Sequence, residues 1–377
     1  MAAKTEDSNT NKGLQTFAFE ATPERFSAFQ PIDIKPRQGI DYILNGPNNI
    51  NFKTYKDAYD DSPTNSSIIN DYVSYMYGEG LINELTKTNL KQYISNEDVL
   101  LLCQDLYIYG GCGLQIIWDS STKKPIRIKY VPVYKLAIRY DMQNLEVNGY
   151  WFSYDWQNKY KYRPQLYPSF TGEYKGNDLE IMLIRSPTSE PFFPVPTYIS
   201  GIPWAKVEGE LGNSAINHFK NGLSMMTIIN YNQGRQTTTE TAKAEADKVR
   251  KMATGSSNQS NVIVSFNDSA EESVTVDQLS PPELNQQNVS FTEEAERKLQ
   301  ISHGMPKILF SGDQGGGGFS NNAEEYSMAL KILYRKKINP LRDILTSGLK
   351  KVLDLINAEM VPWFKDFEEE NKLESND

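Results

Sequence analysis

The sequence predicts an α+β fold, and three observations carry the prediction. Apolar residues recur every three or four positions in several segments, which marks helices with one buried face. Between residues 112 and 154 they alternate instead, which marks half-buried strands. A further strand, Val262 to Phe266, stands between helical stretches, so that residues 232–287 read as a small α/β module inserted between helices.

Taking the elements in order, residues 1–65 are rich in Asn, Thr, Pro and Lys and read as an extended arm. A helix runs from Ser67 to Tyr77, with Ile69, Tyr72, Val73 and Met76 on one face and Gly78 as its stop. A second is expected from Asn83 to Tyr93. A third starts at Ser95, which can cap it, with Asp98 in the capping-box place and Val99, Cys103 and Leu106 as its stripe. Gly110 and Gly111 end it. Leu114, Ile116 and Trp118 then alternate in a strand, the turn Asp119–Lys124 follows, and Ile126 to Tyr130 returns. Val133–Tyr140 and Leu145–Tyr154 read as two more strands, and Glu180–Ile184 as another in the Tyr- and Pro-rich stretch 156–210.

Helix resumes near Leu211. Ala215, Phe219, Leu223, Met226 and Ile229 extend its stripe to residue 231. A polar helix, Thr237–Met252, exposes Glu240, Glu245, Lys248 and Lys251. The strand Val262–Phe266 is expected to pair with Val274–Val276. Ser290 and Glu293 form a capping box opening the helix of segment 288–310, which Gly304 and Pro306 end. A glycine-rich loop, residues 311–320, contains Gly312, Asp313, Gln314, Gly315, Gly316, Gly317, Gly318 and Phe319. A long helix, 321–357, starts at Asn321. It is kinked or broken at Pro340 and carries Leu341, Leu345, Leu349, Val352 and Ile356. Residues 358–377 are an acidic tail expected to be exposed.

Composition bounds what such a fold can do. The chain has 377 residues, 39% of them hydrophobic, enough for two or three domains. Its net charge of −9 and pI near 5.1 disfavour tight binding to duplex DNA, whose affinity comes from Lys and Arg on phosphates. The two cysteines, Cys103 and Cys112, read as buried free thiols. No signal segment or run of 18 apolar residues is present, so a cytoplasmic protein, or one carried in a particle assembled there, is expected, with no membrane partner. No metal or cofactor is expected, because two Cys and two distant His give no ligand spacing. The glycine run lacks the Gly-Lys-Ser/Thr of a phosphate loop and follows a helix rather than a strand, which argues against nucleotide binding. His218 and His303 read as structural, and the paired acids Glu293-Glu294 and Glu324-Glu325 as first-turn residues favoured by the helix dipole. The expectation is therefore no catalytic residue and no enzyme. A basic cluster, Arg335, Lys336 and Lys337, with Arg342, Lys350 and Lys351, reads as a solvated face or as a surface toward DNA or a neighbouring subunit.

Several stretches together resemble the portal proteins of tailed bacteriophages, the head-to-tail connectors. They are Tyr107–Asp119, Phe291–Phe310 with its Gly304-Met305-Pro306 turn, and Ser320–Tyr326 followed by Ile338-Asn339-Pro340, with the glycine run in the gap. The resemblance spans roughly residues 66–357 and is poor in 1–65 and 156–210. It implies a homododecameric ring at one capsid vertex of the virion, through which double-stranded DNA passes during packaging and ejection. Residues 66–210 would form a mixed α/β wing, 211–231 and 288–310 stem helices, 232–287 a clip, 311–320 a tunnel loop in the channel, and 321–357 a kinked helix of wing and crown. The clip surface, with Glu240, Glu245, Lys248 and Lys251, would meet the terminase and then a neck or tail adaptor; the major capsid protein would surround the ring. The competing readings are another neck or baseplate ring protein, and a DNA-processing enzyme. The enzyme would need a metal-binding acidic cluster, and no Asp-x-Asp pair is seen at a strand end.

Overall fold

The computed structural model of the chain describes residues 29–32, 41–141, 146–220, 227–232, 262–267, 284–310 and 323–366. The chain enters the described core through Asn48 and Asn49, both in the left-handed conformation that asparagine tolerates, and forms α1 (Ile50–Asp61) and α2 (Pro63–Tyr77). Helix α1 replaces the end of the expected extended arm. Its apolar residues are few, but Phe52, Tyr55 and Ala58 lie three apart and are all buried. Helix α2 begins at Pro63 rather than Ser67, because Ser62 accepts the Asn65 N–H and proline suits the first helical position.

The helix expected over 83–93 is not formed. Strand β1 (Gly80–Asn83) ends there, and Asn83 and Asn89 side chains accept the Leu85 and Lys91 N–H groups, closing turns that compete with a helix. Helix α3 (Asn96–Tyr109) matches its expectation: Ser95 accepts the Asp98 N–H, and Val99, Cys103 and Leu106 are buried. Gly110 ends it at φ 77°, where a Cβ would also stand 2.4 Å from the Val195 carbonyl.

β2 (Gly111–Asp119) and β3 (Lys124–Val131) form the expected antiparallel hairpin, and β7 (Leu179–Arg185) joins the other edge of β2. β4 (Leu136–Asp141) and β5 (Glu146–Phe152) pair as a second sheet, completed by β6 (Gln165–Pro168); residues 133–135, expected as strand, are a 3₁₀ turn. Both cysteines are free and buried, and burial pushes the Cys103 thiol up to about 12.

Helix α4 spans Ile202–Lys220, earlier than the expected 211–231, and Pro203 stands in its first turn. Residues 227–231 are strand instead. The β-branched run Thr227-Ile228-Ile229 fits β8 (Thr227–Asn232), which pairs in parallel with β9 (Val262–Asn267). The expected partner of β9, Val274–Val276, lies outside the described residues. Ser290 is not a helix start, because α5 already runs from Leu284 to His303.

After α6 (Lys307–Phe310) comes α7 (Ala323–Leu333), whose expected start at Asn321 lies outside the described residues. A five-residue π turn, Tyr334–Ile338, joins α7 to α8 (Asn339–Ile356). Leu341, Leu345, Leu349 and Val352 are buried, each contributing roughly 1.5–3 kcal/mol. Gly348 lets α8 close on β7, since a Cβ there would stand 2.1 Å from Ile184 Cδ1. The start of the acidic tail is not exposed chain: β10 (Pro362–Lys365) pairs with β1 and buries Phe364.

Candidate functional site

The segment the sequence marks for function, Gly312 to Phe319, lies outside the described residues, as do Glu240, Glu245, Lys248 and Lys251. The structure gives the two supports between which that segment is strung: α5 with α6 before it, and α7 with its π turn after it.

The first support is anchored by His303, the last residue of α5. Its Nε2 lies 2.8 Å from Asn65 Oδ1 and its Nδ1 2.9 Å from the Tyr107 hydroxyl. The Asn65 amide donates to the Ala58 carbonyl, so its oxygen faces the ring. Nε2 therefore carries the proton and Nδ1 accepts from Tyr107. The Tyr72 hydroxyl donates to the His303 carbonyl, and the rings of Tyr107 and Tyr198 stack on the imidazole at 5.8 and 4.5 Å. Burial, helped by the charge of Lys337, lowers the His303 pKa to about 3. This histidine is neutral and fully bonded, a structural clamp joining α2, α3 and the turn before α4 to the end of α5. Gly304 then reverses the chain at φ 70°, and Met305 is buried.

The second support carries the basic cluster, and its members part company. Arg335 and Lys336 face solvent from the π turn. Lys337 is half-buried beside the Gly304 turn, where a Cβ would lie 3.1 Å from its Cε; its charge sits by the C-terminus of α5, as the helix dipole favours. Arg342 is no surface cation. It is buried, donates from Nε and Nη2 to the Met76 and Tyr75 carbonyls at 2.9 and 2.8 Å, and pairs with Asp366. It thus caps the end of α2 and holds the chain after β10. Lys350 pairs with Asp354 one turn along α8. Of the sequence-marked cations, Arg335 and Lys336 on the π turn and Lys351 on α8 are exposed.

These supports also leave large apolar side chains in water: Val289, Phe291 and Ile301 on α5, and Tyr326, Met328 and Ile332 on α7. Sequence reading singled out none of Val289, Ile301, Met328 and Ile332, because an exposed stripe and a buried one have the same spacing. A second buried ionisable group, Asp105, accepts the Val133 N–H at 2.9 Å and fixes the β3–β4 connection. Desolvation raises its pKa to about 7. A groove of about 630 Å³ lies between β7 and α8, and one of about 260 Å³ between α1 and α4. Among the described residues no three His, Cys, Asp or Glu are placed to hold a metal, and no helix is long and apolar enough to cross a membrane.

No protein-family model matches the chain, and no curated protein matches it. Solved structures do. A chain in the virion of a native gene transfer agent particle aligns with a TM-score of 0.53 at 12% identity, over 91% of this chain and 88% of that one. A chain in the neck of the native particle, computed with C12 symmetry, gives 0.51 at 13% identity over 82% of each. An HK97-family phage portal protein from Corynebacterium diphtheriae gives 0.43 at 11% identity, over 80% of this chain and 90% of that one. The chain has the fold of the gene transfer agent particle chains over most of its length.

Proposed function

We propose that this chain is a portal protein: a ring-forming, non-enzymatic component of a phage-like particle, set at one capsid vertex, through which double-stranded DNA enters and leaves. The observation that carries the reading is the unit α5–Gly304 turn–α6, glycine run, α7–π turn–α8 within a fold shared over most of its length with a chain of a C12 neck. Two of the three stretches that carry the portal resemblance of the sequence fall on the same unit.

On this reading the subunits number twelve. Residues 66–210 belong mainly to the wing, the later part of α4 and α5 to the stem, and residues 232–287 to the clip that meets the terminase and later the adaptor. Residues 311–320 form the tunnel loop, and Arg335 and Lys336 form a basic surface toward DNA or a neighbouring subunit. The chain's net charge of −9 suits a passage: duplex DNA carries one charge per about 1.7 Å of axis, and a wall dense in lysine would hold it. The exposed apolar residues of α5 and α7 suit heterologous contacts made on both flanks of every subunit until rotation closes the ring.

Negative-stain microscopy of the purified chain tests the proposal. Closed rings with a central hole are expected. A stable monomer across a wide range of concentration and salt overturns it.

A further inference from the structure

The loop after β5 reads Tyr154-Asp-Trp-Gln-Asn-Lys-Tyr-Lys-Tyr-Arg163, three cations interleaved with tyrosines in a chain whose overall charge is −9. The fold gathers this loop into one surface with Lys135 and Tyr42. Lys135 Nζ lies 5.7 Å from the Tyr134 ring centre and 5.1 Å from that of Tyr154. Tyr154 neighbours Tyr162 at 6.4 Å, and Lys161 sits 5.1 Å over Tyr162. Lys159 sits 5.5 Å over Tyr42, which packs on Trp156 at 5.2 Å; Trp156 Nε1 donates to the Lys135 carbonyl. Each ammonium thus rests on a ring face, with N–H groups left for a ligand. The carboxylate of the loop, Asp155, is occupied by the Gln157 and Asn158 N–H groups and the Asn158 amide, although it also feels the charge of Lys161.

We propose that this surface, with Lys135, Lys159, Lys161 and Arg163 as phosphate contacts and Tyr160 and Tyr154 as stacking platforms, binds single-stranded nucleic acid. The rings decide the class of partner. Lysines alone would serve an acidic peptide, and the fold does not need Tyr160, which is fully exposed, or Tyr154, which is 69% exposed. Base stacking uses both the bare ring face and the adjacent cation. A duplex, whose bases are stacked on one another, cannot use the rings. The site shares no residue with the α5–α7 unit, so the portal reading neither requires nor excludes it.

The test is fluorescence anisotropy of the full-length protein with labelled oligothymidine, an abasic oligomer of the same length, and a peptide of residues 367–377, whose five acids against Lys372 make it the acidic competitor. Oligothymidine should bind with a log–log salt slope near −3, at about 0.7 per phosphate for four cations. The abasic oligomer should bind about tenfold more weakly, and Tyr160→Ala should lose a similar factor. Combined replacement of Lys159, Lys161 and Arg163 by Gln should flatten the salt slope. Equal affinity for the abasic oligomer, tighter binding of the acidic peptide, or no binding of oligothymidine overturns the proposal. Ring formation, read by light scattering on the same samples, keeps a failure here separate from a failure of the portal reading.

Discussion

At the residue scale, Asp105 and His303 give the fold two opposed proton linkages. Asp105 has a folded pKa near 7 against an ordinary value of 3.8. Its contribution is therefore complete below about pH 4 and is lost as pH rises through 7. His303 has a folded pKa near 3 against 6.5, so its contribution is complete above 6.5 and is lost as pH falls through 3. Each amounts to about 4–5 kcal/mol at most, taking 1.36 kcal/mol per pKa unit. Between pH 4 and 6.5 the two slopes offset each other. We expect Asp105→Asn to make Tm rise with pH across that window, and His303→Gln to make it fall. Thermal unfolding of both variants at several pH values measures this, and parallel profiles in the two would mean that these groups do not govern the window. Neither role was legible in the sequence. His303 was read as structural, which holds, but its partners Asn65 and Tyr107 are 238 and 196 residues away. Arg342 sat among surface cations for the same reason: its acceptors, the Tyr75 and Met76 carbonyls, are brought to it by tertiary structure.

At the scale of elements, the signals that hold are local and strong. The Ser95 cap, the Gly110 stop and the alternation of β2 and β3 each depend on neighbours in sequence, and all three are realised. The misread elements are those whose fate is decided elsewhere. β1 needs β10, and β8 needs β9; without the partner in view, 83–93 and 227–231 show only apolar spacing that fits a helix as well. Pro340 is intermediate. Its disruption of the long helix was legible, but the form it takes, a π turn, was not. In that turn the Asn339 N–H bonds the Tyr334 carbonyl five residues back. The extra residue moves the carbonyls that the proline ring would otherwise strike. Deleting Lys336 alone should restore α-helical spacing, force that clash and cost about 3 kcal/mol. Deleting Lys336 together with Pro340→Ala should recover most of the loss. Denaturant midpoints of the two variants check this, and equal destabilisation in both would show that the turn does not exist to accommodate the proline. The glycine run belongs to the same scale. Deleting Gly315 to Gly318 removes no side chain, so rings should assemble, while packaging or retention of DNA should fall. A deletion mutant that packages and holds a full genome would reduce the run to a linker.

At the scale of the molecule, the proposed ring would make the chain one part of a larger object. Strands β1–β5, β7 and β10 and helices α1–α3 and α8 share a single buried core, with Tyr55, Tyr72, Tyr198 and Phe52 almost wholly enclosed. The same sequence leaves Met328 at 61% and Ile332 at 45% exposure on α7, one turn apart on one face. Burying what these two side chains still expose is worth roughly 1.5–3 kcal/mol, an incentive for α7 to meet another surface. In a ring that gain is repeated at every subunit boundary, and closure removes the last exposed pair. Replacing both residues by Glu should therefore leave the fold intact, since neither supports the monomer core, and should abolish assembly. The expected result is an unchanged far-UV circular dichroism spectrum with light scattering near 43 kDa instead of a ring, 42.9 kDa being the mass of one chain. Rings that persist in the double variant would place the subunit contact on another face, with α5 and its exposed Phe291 and Ile301 the next to substitute.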